Sequence, residues 1–177
     1  MTAENNTIYS AKDYLYTIKE FDDVISNGYF KVDWYSANVY IKYFDPEMPK
    51  IEVTSVGDWV DLRSAVELDY KAGEAFLIPL GITMKLPNAT EAIMAPRSST
   101  FKKYGIIQTN SIGVIDNSYC GDNDQWFMPV YALRDGHIDK YDRICQFRIF
   151  NNQDFLRFTE VDSTGDKDRG GFGSTGK

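Results

Sequence analysis

Cysteine and histidine are scarce in this 177-residue chain: Cys120, Cys145 and a single histidine, His137, are the whole supply. Neither a disulfide framework nor a four-cysteine zinc site can be built from that stock, and His-rich metal sites and two-histidine mechanisms are excluded. Reduced thiols and a cytoplasmic setting are therefore expected. Long apolar runs are also missing. No stretch approaches the ~20 residues of a membrane helix, so no membrane association is expected. Residues 1–13 are polar and acidic without an apolar h-region, which argues against a secretory signal. Positive charge is in deficit: 19 Lys and Arg stand against 26 Asp and Glu, a net charge of −7. Such a chain repels duplex phosphate, so no nucleic-acid partner is expected. A small phosphorylated ligand stays open, because a local group of Arg and backbone N–H donors can oppose the net sign.

What is present suits one soluble domain: 43% of the residues are apolar and 25% charged. Three zones follow. Residues 1–36 form an extension in which Tyr14, Leu15, Ile18, Phe21, Val24 and Ile25 recur at helical spacing. Ser10 is a candidate N-cap and Asn27-Gly28 a stop signal, so a short amphipathic helix is expected there. Residues 37–161 change to period two and short apolar runs. Val39–Phe44, Ala75–Leu80, Ala92–Ala95, Phe127–Tyr131, Ile144–Phe150 and Phe155–Phe158 read as strands between turn clusters. His137 falls in one such turn and reads as solvated. Many short strands without alternating helices predict an all-β sandwich or barrel. Residues 162–177 carry Phe172 as their one large apolar side chain amid several glycines, which reads as a flexible tail.

Four segments carry chemistry. Arg97-Ser98-Ser99-Thr100 follows a strand and Pro96. Its guanidinium fork and hydroxyls suit phosphate oxygens, although the same run also suits the start of a helix. Asn110–Gly121 ends an apolar strand in Asp116, then turns through Tyr119. Read as a hairpin, it exposes one carboxylate beside an aromatic ring, though a lone Asp at a strand end is more often a turn former. Asp142–Gln146 puts Ile144 and Gln146 on one strand face and Arg143 and Cys145 on the other. Gln146 then needs a backbone or ligand partner. Asp168–Gly176 offers glycines for close backbone approach with Arg169, Ser174 and Thr175 as donors. It lacks the Lys-Ser/Thr ending and the following helix of a P-loop.

Together and in this order these segments resemble the trimeric dUTPase family, most of all its Gram-positive bacterial and phage members. The resemblance runs from about Val39 to Lys177. It is carried by Gly57–Arg63, Pro96–Thr100, Asn110–Asp116, Asp122–Asp124, Asp142–Ile149 and the Gly-rich end. It implies a jelly-roll-like β-fold with a Gly-rich closing arm. It also implies hydrolysis of dUTP to dUMP and pyrophosphate by water attack at the α-phosphorus, with Mg²⁺ held mainly by the triphosphate. Asp116 matches the carboxylate that activates the water. Tyr119 matches the ring under the deoxyribose, with Ile115 as its apolar neighbour. Asn110 and Gly113 match the segment that reads uracil. Arg97, Ser98, Ser99 and Gln146 match phosphate contacts, and Asp61 and Arg143 match supporting residues. Asp61 is preferred over Asp58 because Leu62 follows it. Arg169, Phe172, Ser174 and Thr175 match the closing arm, Phe172 stacking on the base. Arg169 stands closer to Phe172 than in many family members, so Lys167 offers a second charge. A homotrimer with shared sites is implied.

Two rivals remain. dCTP deaminase shares the Arg-Ser-Ser run and the Ile-Asp pair but needs a Glu soon after the turn glycine, and 122–130 has none. A phage-type dUTPase that also regulates a protein partner would use the N-terminal extension and the Asp122–Trp126 segment.

Overall fold

Alternation of apolar and polar side chains builds most of the strands. In Phe127–Ala132, Met128, Val130 and Ala132 turn inward while Phe127, Pro129 and Tyr131 turn out. The computed structural model describes residues 7–9, 15–17, 38–53, 57–153 and 156–170. One sheet runs in the order β10 (Gly113–Asp116), β8 (Thr90–Pro96), β13 (Arg143–Asn151), β4 (Val60–Arg63), all antiparallel. A second runs β6 (Ala75–Pro79), β11 (Phe127–Ala132), β9 (Ile106–Gln108). Three two-stranded pairs join β3 (Tyr40–Tyr43) to β7 (Ile82–Lys85), β5 (Leu68–Tyr70) to β12 (Gly136–Ile138) and β1 (Thr7–Tyr9) to β2 (Leu15–Thr17). One short helix, α1 (Thr100–Tyr104), follows β8. Strands distant in sequence pair while neighbours rarely do, so the all-β, jelly-roll-like expectation is met.

The core gathers Trp126, Leu62, Ile78, Leu80, Ile82, Met94, Ile106, Met128, Ile138 and Ile144, all essentially buried. Removing each such side chain from water contributes roughly 1.5–3 kcal/mol. Trp126 meets Phe147 edge-on, with ring centroids 5.4 Å apart, an arrangement worth about 0.5–1.5 kcal/mol beyond its area. Helix α1 ends at Gly105, whose left-handed φ of 69° lets its N–H donate to the Phe101 carbonyl at 2.8 Å.

Four expectations need correction. Leu15–Thr17 is a strand paired with Thr7–Tyr9, not part of a helix. Its Leu-Tyr-Thr run has the aromatic and β-branched character of a strand, and a cross-strand partner overrides the helical spacing. The rest of the expected helix lies outside the described residues. Leu156–Phe158 form no strand. Here β13 ends at Asn151, the Asn152 N–H turns to the Ala89 carbonyl, and Phe158 is 90% exposed. Phe155 lies outside the described residues. In β13 a bulge between Arg143 and Cys145 breaks strict alternation. Ile144 and Cys145 are therefore both buried, and Cys145 is core, its thiol pushed up by burial. His137 sits in β12 rather than a turn. Its Nδ1 lies 2.8 Å from Asp69 Oδ1 and its Nε2 3.1 Å from Asp139 Oδ1.

Candidate active site

The phosphate-suited residues meet where three strands lie side by side. Gln146 on β13 stands across from Asp61 on β4 and from Ala95 on β8. Arg97 leaves the end of β8. Its N–H donates to Thr100 Oγ1 at 3.0 Å, and that hydroxyl donates to the Ile144 carbonyl at 2.7 Å. Thr100 is buried and stitches the Arg97 loop to β13. Asp61 then receives two guanidinium groups, Arg97 Nε at 2.6 Å on one oxygen and Arg143 Nη1 at 3.0 Å on the other. One carboxylate thus aims two forks, each with donors to spare for an anion. Gln146 Nε2 donates to the Pro96 carbonyl at 3.2 Å, the backbone partner its burial requires. Asp61, Arg63, Arg97, Ser98, Arg143 and Gln146 line a cavity of about 730 Å³. Ser99 instead begins α1, its carbonyl accepting the Lys103 N–H. Asp58 also lines this cavity but is largely exposed, and among the described residues its ion pair is with Arg148 at 3.5 Å.

The nucleoside-suited residues gather elsewhere. Asn110, Gly113, Ile115, Asp116 and Tyr119 line a cleft of about 390 Å³ backed by Trp126. The segment that forms it is not a hairpin. Strand β9 pairs with β11 and β10 with β8, so residues 109–112 cross from one sheet to the other. Ser111 takes a left-handed φ of 58° in that turn. Gly113 lies opposite Met94, whose Cε would stand 2.8 Å from an added Cβ, so a side chain there would have to push the end of Met94 aside. Asp116 ends the edge strand β10 and is exposed. A turn follows in which the Tyr119 N–H donates to the Asp116 carbonyl at 3.0 Å. The Tyr119 phenol donates to the Gln125 carbonyl at 3.1 Å.

That last bond ties the ring to the Asp122–Trp126 segment. Asp124 Oδ2 accepts the Gly121 N–H at 2.7 Å, and Gln125 Oε1 accepts the Gly81 N–H at 3.1 Å. Residues 121–125 thus brace the Tyr119 ring, and Trp126 is 1% exposed, so Trp126 is no free surface for a partner. No motif announced the stitching role of Thr100 Oγ1 or the bracing role of Gln125, because both depend on contacts outside their own segments.

The cavity and the cleft share no lining residue. Asp116 pairs with Glu91 near the start of β8, and Arg97 follows its end. At ~3.3 Å per residue that separation is roughly 20 Å. Arg169 is exposed in an irregular segment. Phe172, Ser174 and Thr175 lie outside the described residues.

A family model for dUTPase matches residues 25–176. The chain belongs to the dUTPase family. It is an enzyme of that family, and the match starts ahead of Val39, inside the segment sequence reading set apart. It is 54% identical over 138 residues to the SPbeta prophage-derived deoxyuridine 5'-triphosphate nucleotidohydrolase YosS of Bacillus subtilis (strain 168), covering 78% of this chain and 97% of that one. Two solved structures share the fold. The Staphylococcus bacteriophage 80alpha dUTPase with dUpNHpp gives a TM-score of 0.62 at 15% identity, covering 73% of this chain and 99% of that one. The phage phi11 dUTPase of S. aureus, which coordinates a structural Mg(II) ion, gives 0.61 at 14%, covering 72% and 98%. Among the described residues no helix is long and apolar enough to cross a membrane.

Proposed function

We propose that this dUTPase-family chain hydrolyses dUTP to dUMP and pyrophosphate, with Asp116 holding and activating the water that attacks the α-phosphorus. The observation that carries this is an exposed strand-end carboxylate, Asp116, in one cleft with a Tyr119 ring tied to the Gln125 carbonyl. An ionised Asp accepts a water proton, and its weak basicity suffices because positioning and charge stabilisation dominate phosphoryl transfer. A ring held under the deoxyribose leaves no room for a 2′-hydroxyl. Asn110 and the Gly113 backbone supply polar groups for uracil, and Ile115 packs on the sugar. Arg97, Ser98 and Gln146 bind phosphate oxygens, with Asp61 and Arg143 positioning them. Arg169, Phe172, Ser174 and Thr175 close the site, Phe172 over the base.

Both Asp61 oxygens face guanidinium groups, Asp116 has Glu91 across the strand pair, and among the described residues no three His, Cys, Asp or Glu side chains come together so as to hold a metal ion. This donor set suits a hydrated Mg²⁺ that arrives on the triphosphate rather than one caged by protein. When bound there, Mg²⁺ neutralises charge on the phosphate oxygens.

The ~20 Å between Asp116 and Arg97 along β8 is too long for both to serve one α-phosphate. A site that combines a cleft from one subunit with a cavity from another removes the difficulty, as in the homotrimer the resemblance implies. The outer face of β6–β11–β9 supports this. Leu77, Ile107, Phe127 and Tyr131 are all exposed there, and an exposed apolar face of this kind marks an interface. Leu77 and Phe127 also line the cleft, so the contact face runs into the site.

The test is pyrophosphate release from dUTP, dCTP, dTTP and UTP in magnesium buffer. Hydrolysis is expected for dUTP, with UTP rejected. Inertness toward dUTP, or equal cleavage of UTP, overturns the reading.

A further inference from the structure

Gln108 is 7% exposed and lies on the inward face of the second sheet, opposite Val130. Its Nε2 donates in two directions, to the Met94 carbonyl on β8 at 3.4 Å and to Asn110 Oδ1 at 3.0 Å. Its own Oε1 is buried with no partner among the described residues. A buried amide oxygen without a donor is destabilising, and an aliphatic side chain of similar size would avoid that cost. The amide therefore does something at this position that packing alone does not require.

We propose that Gln108 is a positioning residue: it fixes which way the Asn110 amide faces, and through it the base that the cleft accepts. The proposal rests on the reading of the cleft as a uracil site. An asparagine amide presents an acceptor on one side and two N–H donors on the other. Gln108 holds the Asn110 oxygen inward. Asn110 is exposed and lines the cleft, so its NH₂ group is left for the ligand. N–H donors match a carbonyl oxygen of uracil. The exocyclic amino group of cytosine would set donor against donor at the same point. Ser111, held at its left-handed φ, and Gly113, pressed on Met94, keep the turn from readjusting around the misfit.

The test is Gln108→Leu in the full chain, assayed with dUTP and with dCTP as competing ligand in magnesium buffer. The KM for dUTP should rise about tenfold while kcat stays within about twofold, and the inhibition constant of dCTP relative to that KM should fall about tenfold. In an Asn110→Ala background the same change should leave the ratio where it was. An unmoved ratio, or one that shifts equally in the Asn110→Ala background, overturns the proposal; so does a fall in kcat and melting temperature with the ratio intact, the mark of a purely structural link between sheets. Should Gln108→Leu fail to fold, Gln108→Met carries the same readouts. A wild-type chain inert toward dUTP condemns the uracil reading itself. A wild-type chain active on dUTP, with a variant ratio that does not move, condemns only the role of Gln108.

Discussion

At one end of β8 the cavity proposed for phosphate keeps its shape through charge, with Asp61 between Arg97 and Arg143 and the loop stitched down by Thr100. At the other end the cleft proposed for the nucleoside keeps its shape through the backbone. A sheet-to-sheet turn, a glycine pressed on Met94 and a tyrosine tied to a main-chain carbonyl set its walls. On the proposed reading the difference follows what each half has to grip. A triphosphate is a dense charge whose many oxygens match guanidinium forks. A base and a sugar differ from their competitors by one hydroxyl or one amino group, and rejecting those demands polar groups and walls that do not move.

The largest expected effect removes the chemistry and leaves both halves standing. Asp116→Asn should lower turnover of dUTP by about 10²- to 10⁴-fold with unchanged folding; a pyrophosphate assay and a melting curve check it, and near-normal rates would refute the water-activating role. The next experiment asks whether the two halves belong to different subunits. Asp116→Asn and Arg97→Ala chains, each inactive alone, should regain activity when unfolded together and refolded as a mixture. A random one-to-one mix leaves about a quarter of two-chain sites intact in a symmetric oligomer. No recovery would mean that one chain supplies both halves.

A smaller effect separates the halves by ligand. Asp61→Asn should raise the KM for dUTP about threefold to tenfold by letting Arg97 and Arg143 drift, while inhibition by dUMP, which lacks the outer phosphates, changes less. Equal losses for both ligands would erase the division drawn here. The smallest effect lies outside both halves. Hydrogen bonds donated to Asp69 and then Asp139 hold His137 above its ordinary pKa. A raised folded-state value means the stabilisation is full below the unfolded pKa, near 6.5, and is lost as pH rises through the folded one. Melting temperature followed from pH 6 to 8 should therefore decline less in His137→Gln than in the wild type, with dUTP kinetics unaltered. Matching declines would show that the pair of acids contributes nothing.

Much of this architecture could be read from residue order. Period-two runs located β6, β8, β11 and β13, and the Arg97, Asp116 and Arg143 segments carried the family resemblance before any contact was known. The failures share a cause. The bulge at Arg143–Cys145 buried Ile144 along with Cys145, the turn at 109–112 crossed between sheets instead of closing a hairpin, and Leu15–Thr17 took a strand partner. Each depends on which strand lies alongside, and local pattern carries no information on that. Gln108 and Gln125 were invisible for the same reason, since their hydrogen bonds reach other strands or main-chain atoms.

Residue order by itself determined the strand-rich class, the acidic surface and the identities of the chemical groups, because these follow from side-chain type and spacing. Only the folded chain decided that those groups fall into two separate pockets. Register along β8 sets that separation, and register is a property of paired strands, which no single segment possesses.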